Sequence, residues 1–189
     1  MNKLFKYKNG EIKIMWDECP MLQNYEYDWI SKNIKNNTNQ ISNSYLLGVE
    51  LKIYKGGRIC YGMLAARVKP YNKMGFIKVS IAFTSENTVK YTDSFLLTDT
   101  FVYKGLPEEY VEQVSKNIDM AISEKKVFPQ CDISFEYAAN CEIGSSPMLF
   151  GIIAEIIINI ICTCTMEELF NMDIEKFTEE YIKKVSLRY

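Results

Sequence analysis

The stretches best placed to do chemistry are two turns that each run into a helix, Lys104-Gly105-Leu106-Pro107 and Gly144-Ser145-Ser146-Pro147, together with the cysteines. A Gly-Ser-Ser turn at a helix start presents backbone N–H groups and the positive end of the helix dipole, which suits phosphate. The same residues equally make a plain turn with a serine N-cap and Pro147 at the first helical position. Glu108 and Glu109 sit side by side, but adjacent helical residues diverge, and acidic first turns complement the dipole without any catalytic role. Cys141 lies at a predicted loop tip near a helix start, a setting that activates thiols. Glu142 beside it works in the opposite direction, and the simpler reading is an incidental thiol.

The chain has no histidine. That removes histidine acid–base catalysis, Ser-His and Cys-His nucleophiles and every histidine-containing zinc site. The six cysteines, Cys19, Cys60, Cys131, Cys141, Cys162 and Cys164, contain no C-x2-C pair, and residues two apart on a helix, as Cys162 and Cys164 are, point to nearly opposite sides. No G-x4-G-K-[ST] loop is present to hold a nucleotide with magnesium. The expectation is a protein without cofactor or metal and without catalytic residues. The opening MNKLFKYKNGEIK lacks the apolar run of a secretory leader, so reduced thiols in the cytoplasm are expected.

With a net charge of −2, the chain lacks the overall basicity of most freestanding nucleic-acid binders. Any RNA contact must come from a local patch or a helix N-terminus. Lysines do interleave with aromatic residues in KLFKYK and VKPYNKMGFIK, a pattern that suits stacking on bases but also an ordinary solvated strand face. YKGGRICY between two strands reads as a hairpin rather than a nucleotide turn.

Behind these residues stand the elements that position them. Residues 1 to 16 read as a hairpin around Asn9-Gly10. Residues 17 to 44 turn polar and predict a short helical piece followed by a mobile loop, which sets a boundary between an N-terminal extension, 1–44, and the main domain, 45–165. YLLGVELKIY, RICYGMLAARV, FIKVSIAF and the stretch from Tyr91 to Tyr103 alternate as four strands. An amphipathic helix follows Pro107, with Val111, Val114, Ile118, Ala121 and Ile122 in one stripe. QCDISFEYA makes a further strand. MLFGIIAEIIINIICTC is a second helix whose less apolar stripe, Gly151, Glu155 and Asn159, marks it as a buried core helix rather than a membrane span. Residues 166–189 predict a C-terminal helical segment packed on the domain. The pattern is α+β: a mostly antiparallel sheet of four or five strands with two helices on one face.

The order of these motifs resembles domain IV of translation elongation factor G and, more loosely, that of tetracycline-resistance ribosomal protection proteins, over about residues 50 to 163. The matching positions are Gly57, Arg58 and Pro70 on a strand, and Gly105, Pro107, Glu109 and Tyr110 at a helix start. Pro129 and Asp132 match before a strand, and Ser145, Ser146 and Phe150 before a second helix. The resemblance implies a fold of the ribosomal protein S5 domain 2 type. It also implies contact with ribosomal RNA or structured RNA through two loop tips, Lys104, Gly105 and Leu106 in one and Asn140, Cys141 and Glu142 in the other. Where the family has a tip histidine this chain has Cys141, and where it has an acidic residue before Ser-Ser this chain has Gly144. The expected function is a stand-alone, non-enzymatic binding module. Two other readings stay open. One is a protein-interaction or homodimer module using the N-terminal hairpin or the stripe Leu169, Phe170, Ile174, Phe177 and Tyr181. The other is a small-molecule phosphotransferase-like protein.

Overall fold

The computed structural model describes residues 2–19, 27–36, 40–85, 89–96, 101–163, 179 and 181–183. Among the described residues eight strands form one sheet: β1 (Asn2–Tyr7), β2 (Gly10–Trp16), β3 (Asp28–Lys35), β4 (Tyr45–Lys55), β5 (Arg58–Lys69), β6 (Phe76–Phe83), β7 (Val102–Lys104) and β8 (Asp132–Cys141). Their order is β1-β2-β4-β5-β8-β6-β3, with β7 also on β8. Every pairing is antiparallel except β6 with β8.

The count of four or five strands is therefore too low, for two reasons. The hairpin β1–β2 is no separate extension; β2 pairs along its whole length with β4, from Gly10 opposite Ile53 to Trp16 opposite Leu47. Its even positions Ile12, Ile14 and Trp16 enter the same core as Leu47, Val49 and Leu51. The stretch expected as a short helix and mobile loop contains β3, paired with β6 from Asp28–Phe83 to Lys35–Phe76. Ile30 and Ile34 are β-branched and share one face at a period of two, and a neighbouring strand supplies the backbone partners. The boundary expected at residue 44 has no counterpart in the sheet. Of the strand expected from Tyr91 to Tyr103, residues 97–100 lie outside the described residues, and 91–96 are irregular. Among the described residues of this stretch Val102–Lys104 pairs with β8, and residues 89–91 run antiparallel beside it through Tyr91 N–H to Val102 C=O, 2.8 Å, and Lys104 N–H to Val89 C=O, 2.7 Å.

The two helices, α1 (Val111–Ser123) and α2 (Pro147–Thr163), cover one face. They run side by side in the same direction. At their starts Tyr110 lies against Phe150, ring centroids 5.4 Å apart, and at the other end the Cys162 thiol in the last turn of α2 donates to the Val127 carbonyl just past α1. A single turn of 3-10 helix, Glu108–Tyr110, leads into α1. Gly151 lets the helices approach, since a Cβ there would lie 2.7 Å from the Asn117 Oδ1 of α1. α2 is buried on nearly every side because α1, β4 and β5 surround it. Its polar stripe is inside too. The Asn159 amide donates to the Glu155 carbonyl at 2.8 Å and also to the Tyr181 hydroxyl. No described helix is long and apolar enough to cross a membrane. Of the C-terminal stripe, Tyr181 packs on the core beside the buried Ile182, whereas Leu169, Phe170, Ile174 and Phe177 lie outside the described residues.

The opposite face has its own smaller core, built from Met15, Leu46, Tyr61, Met63, Ala65, Tyr91, Leu96, Val102 and Ala139. Residues 89–96 lie across it as a strap. Between β5 and β8 the register shifts, with Ala65 opposite Tyr137 and Ala66 opposite Phe135. The bulge makes Glu136 the extra residue and brings it and Tyr137 together onto Arg67, at 2.9 Å each.

Candidate macromolecule-contacting rim

Both glycine turns lie at the end of the sheet where β8 finishes. The Gly105 N–H bonds the Ala138 carbonyl at 2.7 Å, and the Gly144 carbonyl accepts from Tyr61 N–H at 3.3 Å. Both residues have positive φ, +108° and +119°, a region that favours glycine. A Cβ on Gly144 would lie 2.1 Å from the Ile59 carbonyl oxygen, and one on Gly105 2.5 Å from the Thr84 side chain.

The six residues expected at the tips are brought together, but most of them face inward. Gly105 and Leu106 are buried, as are Asn140 and Cys141. The Asn140 amide donates to the Gly105 carbonyl at 3.0 Å and ties the two turns to each other. Cys141 pairs with Val102, its thiol donates to the Ile143 carbonyl at 3.0 Å, and burial pushes that thiol's pKa up. It is therefore a poor nucleophile. Lys104 is half-buried, and only Glu142 is exposed. Four of the six thus build the rim, while the contacting surface falls to their neighbours. Leu106 is inside because the chain must dive from β7 into α1 beneath Thr84, whose N–H bonds the Leu106 carbonyl.

The turn expected as a phosphate cradle is likewise committed internally. The Ser145 hydroxyl accepts from Cys141 N–H at 2.7 Å and donates to the Tyr61 carbonyl at 2.6 Å. Ser146 caps α2 by accepting from Leu149 N–H at 3.3 Å.

What the rim does expose is aromatic, aliphatic and cationic. Phe101 is 50% exposed and Ile143 76%. The Lys90 ammonium lies over the Phe101 ring at 4.2 Å, and Phe101 leans on Tyr103. These residues were legible in TFVYK: once Val102 faces the core, alternation turns Phe101 and Tyr103 outward. Two hairpin turns reach the same end. The β4–β5 turn lies next to Gly144 and brings Lys55 and Arg58; the β1–β2 turn, tied to β4 by Tyr54 N–H to the Asn9 carbonyl, brings Lys8. A chain that is slightly acidic overall therefore gathers Lys8, Lys55, Arg58, Lys90 and Lys104 along one edge. Glu142 and the exposed Glu108 and Glu109 mark its α1 side.

Beneath the strap sits a buried charge that the sequence reading passed over. Glu50 is 0% exposed. It accepts from the Tyr61 hydroxyl at 2.7 Å and from Phe95 N–H of the strap at 3.1 Å, with the Lys13 ammonium at 3.6 Å. Burial raises its pKa above the ordinary 4.5, only partly offset by those partners. Burial and the nearby Glu50 also raise Tyr61 and Tyr91, and the Tyr91 hydroxyl has no hydrogen-bond partner among the described residues. The deeper thiols Cys19 and Cys131 are pushed up to about 12 by burial. Among the described residues no cluster of three or more acidic or cysteine side chains could hold a metal.

Fold and rim together define a mixed α+β protein in which a mostly antiparallel sheet carries two parallel helices on one face and presents a cationic, aromatic end. No known protein family, curated protein or solved structure matches the chain.

Proposed function

We propose that this protein is a non-enzymatic binding module that contacts structured RNA, the ribosome included, through the rim formed by its hairpin turns and its two turn-to-helix junctions. The observation that carries the reading is the gathering of Lys8, Lys55, Arg58, Lys90 and Lys104 beside the exposed Phe101 and the half-buried Tyr103 on a chain of net charge −2. Cations neutralise phosphates and aromatic faces stack on unpaired bases, and neither needs a catalytic group. Kinship with elongation factor G domain IV and an S5-like topology belong to the same proposal. The supports are the order of motifs from residues 50 to 163, the start of both helices from one rim, and the parallel β6–β8 pairing around α1. We place the protein in the cytoplasm on the same grounds.

Co-sedimentation with ribosomes at low salt tests this. Wild type is expected in the pellet, released as salt rises, and Lys90→Glu with Lys104→Glu is expected in the supernatant. No co-sedimentation at low salt overturns the ribosomal reading. The exposed Ile143, Met148 and Val89 on the same rim favour a second reading, an apolar protein partner. Binding that resists salt but is lost in Ile143→Asp would select it.

A further inference from the structure

Among the described residues the sheet ends in two edge strands, β1 and β3, and they differ. β1, NKLFKY, carries lysines at Lys3 and Lys6, the usual protection of an edge strand. β3, DWISKNIK, also carries two lysines, but Lys32 is drawn back onto α1, and the strand exposes two adjacent large apolar residues, Trp29 at 49% and Ile30 at 40%, where β1 exposes Leu4 at 45%. We propose that β3 is a self-association edge. The β3 strand of a second copy of this chain pairs with it antiparallel, about a two-fold axis normal to the sheet, and joins two sheets into one. This inference is independent of the RNA reading, because none of the pairing residues of β3 is among the cationic and aromatic residues of the rim.

The sequence of β3 selects the register. Lys32 reaches α1, and Ile34 packs on the core beneath the helices, so the even positions face the helices. Ser31, bonded to Ser80, and the other odd positions face the opposite side. Residues directly opposite in an antiparallel pair share a face, so two copies can pair only in registers whose numbers sum to an even value. The register with Lys32 opposite itself sets Ile30 against Ile34 twice and Trp29 against Lys35 twice, apolar and cation–π pairs on their proper faces. Shifting one way sets Ile30 against Lys32 and Trp29 against Asn33. Shifting the other way leaves Trp29 beyond the paired residues. The cost of two facing lysines is small here, because each Lys32 ammonium is already held within its own chain. It bonds the Ser115 hydroxyl at 2.7 Å and lies 2.8 Å from Asp119. On the helix side a groove of about 690 Å³ runs beside β3, with Ile30, Phe83, Val111 and Met120 on its apolar part and charged and polar residues of α1 on the rest, and Ile34 of the second copy would come to the apolar part at Ile30. One strand pair lies at the small end of specific interfaces, so the dimer is expected to form only as concentration rises.

Sedimentation velocity on the full chain across a concentration series provides the test, with far-UV circular dichroism confirming that each variant is folded. Wild type is expected to shift from monomer to dimer mass. Trp29→Lys, which sets lysine against Lys35, is expected to raise the dissociation constant at least tenfold. Under mild oxidation Lys32→Cys is expected to form a disulfide-linked dimer above the wild-type blank, and to do so more readily than Ser31→Cys. A chain that stays monomeric at every concentration, a dimer indifferent to Trp29→Lys, or preferential cross-linking through Ser31→Cys overturns the proposal.

Discussion

The two faces of the sheet solve the same burial problem with different chemistry. On the helix face Ile12, Val49, Leu51, Leu64, Val79, Ile133 and Phe135 meet the buried sides of α1 and α2, and the contact is almost wholly apolar. On the other face a strap of irregular chain, 89–96, covers Glu50, Tyr61 and Lys13. A helix satisfies its own backbone and can bring a fully apolar surface, whereas an irregular strap carries backbone N–H groups that must find partners. Glu50 supplies one, accepting from Phe95 N–H. The helix face therefore derives its stability from packing. The strap face exchanges some stability for a polar anchor that holds residues 89–91 beside β7, and with them Lys90 over Phe101.

The largest expected effect lies on the apolar face. Phe150 is 0% exposed and packs at a tilt against Tyr110, and Phe150→Ala should cost about 3–5 kcal/mol in urea unfolding. At the rim, Gly144→Ala should cost about 3 kcal/mol, because strain at positive φ adds to overlap with the Ile59 carbonyl. Gly56→Ala, also at positive φ but with open space around it, should cost only about 1 kcal/mol. Equal losses at the two glycines would remove the close approach from the account.

The polar face is sharpened by pH. Glu50 has a folded pKa above its unfolded value, so the folded state binds the proton more tightly. Its favourable contribution is full below the ordinary value of 4.5 and is lost as pH rises through the raised folded value. Glu50→Gln keeps an acceptor for Phe95 N–H and removes the charge. It should therefore gain on wild type as pH climbs from 4 toward neutrality, read as a widening difference in denaturation midpoint. A difference that is flat or narrows over that range contradicts the burial argument. The smallest effect on stability belongs to the rim surface. Phe101→Ala should stay within about 0.5 kcal/mol of wild type while weakening RNA binding.

How much of this was legible follows from what each residue's neighbours supply. β4, β5 and β6 announce themselves by alternation, and the stripe from Val111 to Ile122 by helical spacing, since the pattern that buries them is local. β3 was hidden because Ser31, Lys32 and Asn33 dilute its alternation and its partner β6 arrives more than 40 residues later. Glu50 and Lys52 alternate with the apolar Val49, Leu51 and Ile53, and no local signal says that residues 89–96 return to cover them. The two turns were legible as helix starts, but their burial was not. Lys104, Gly105 and Leu106 look like a tip in sequence, and only the pairing of β7 with β8 turns Leu106 and Asn140 inward. Phe101 and Tyr103 can be read from the alternation around Val102, but their gathering with Lys8, Lys55, Arg58 and Lys90 cannot, because those residues come from hairpins and a strap far apart in the chain.

The central claim is that one end of the sheet binds RNA. An amide-resolved titration of the chain with a structured RNA, followed by NMR at low salt, tests it most directly. The account predicts shifts concentrated at residues 8–9, 55–58, 89–91, 101–104 and 142–143, with β3 and the far ends of both helices unmoved. Shifts centred on another surface, or none at RNA concentrations that saturate a basic control protein, would contradict it.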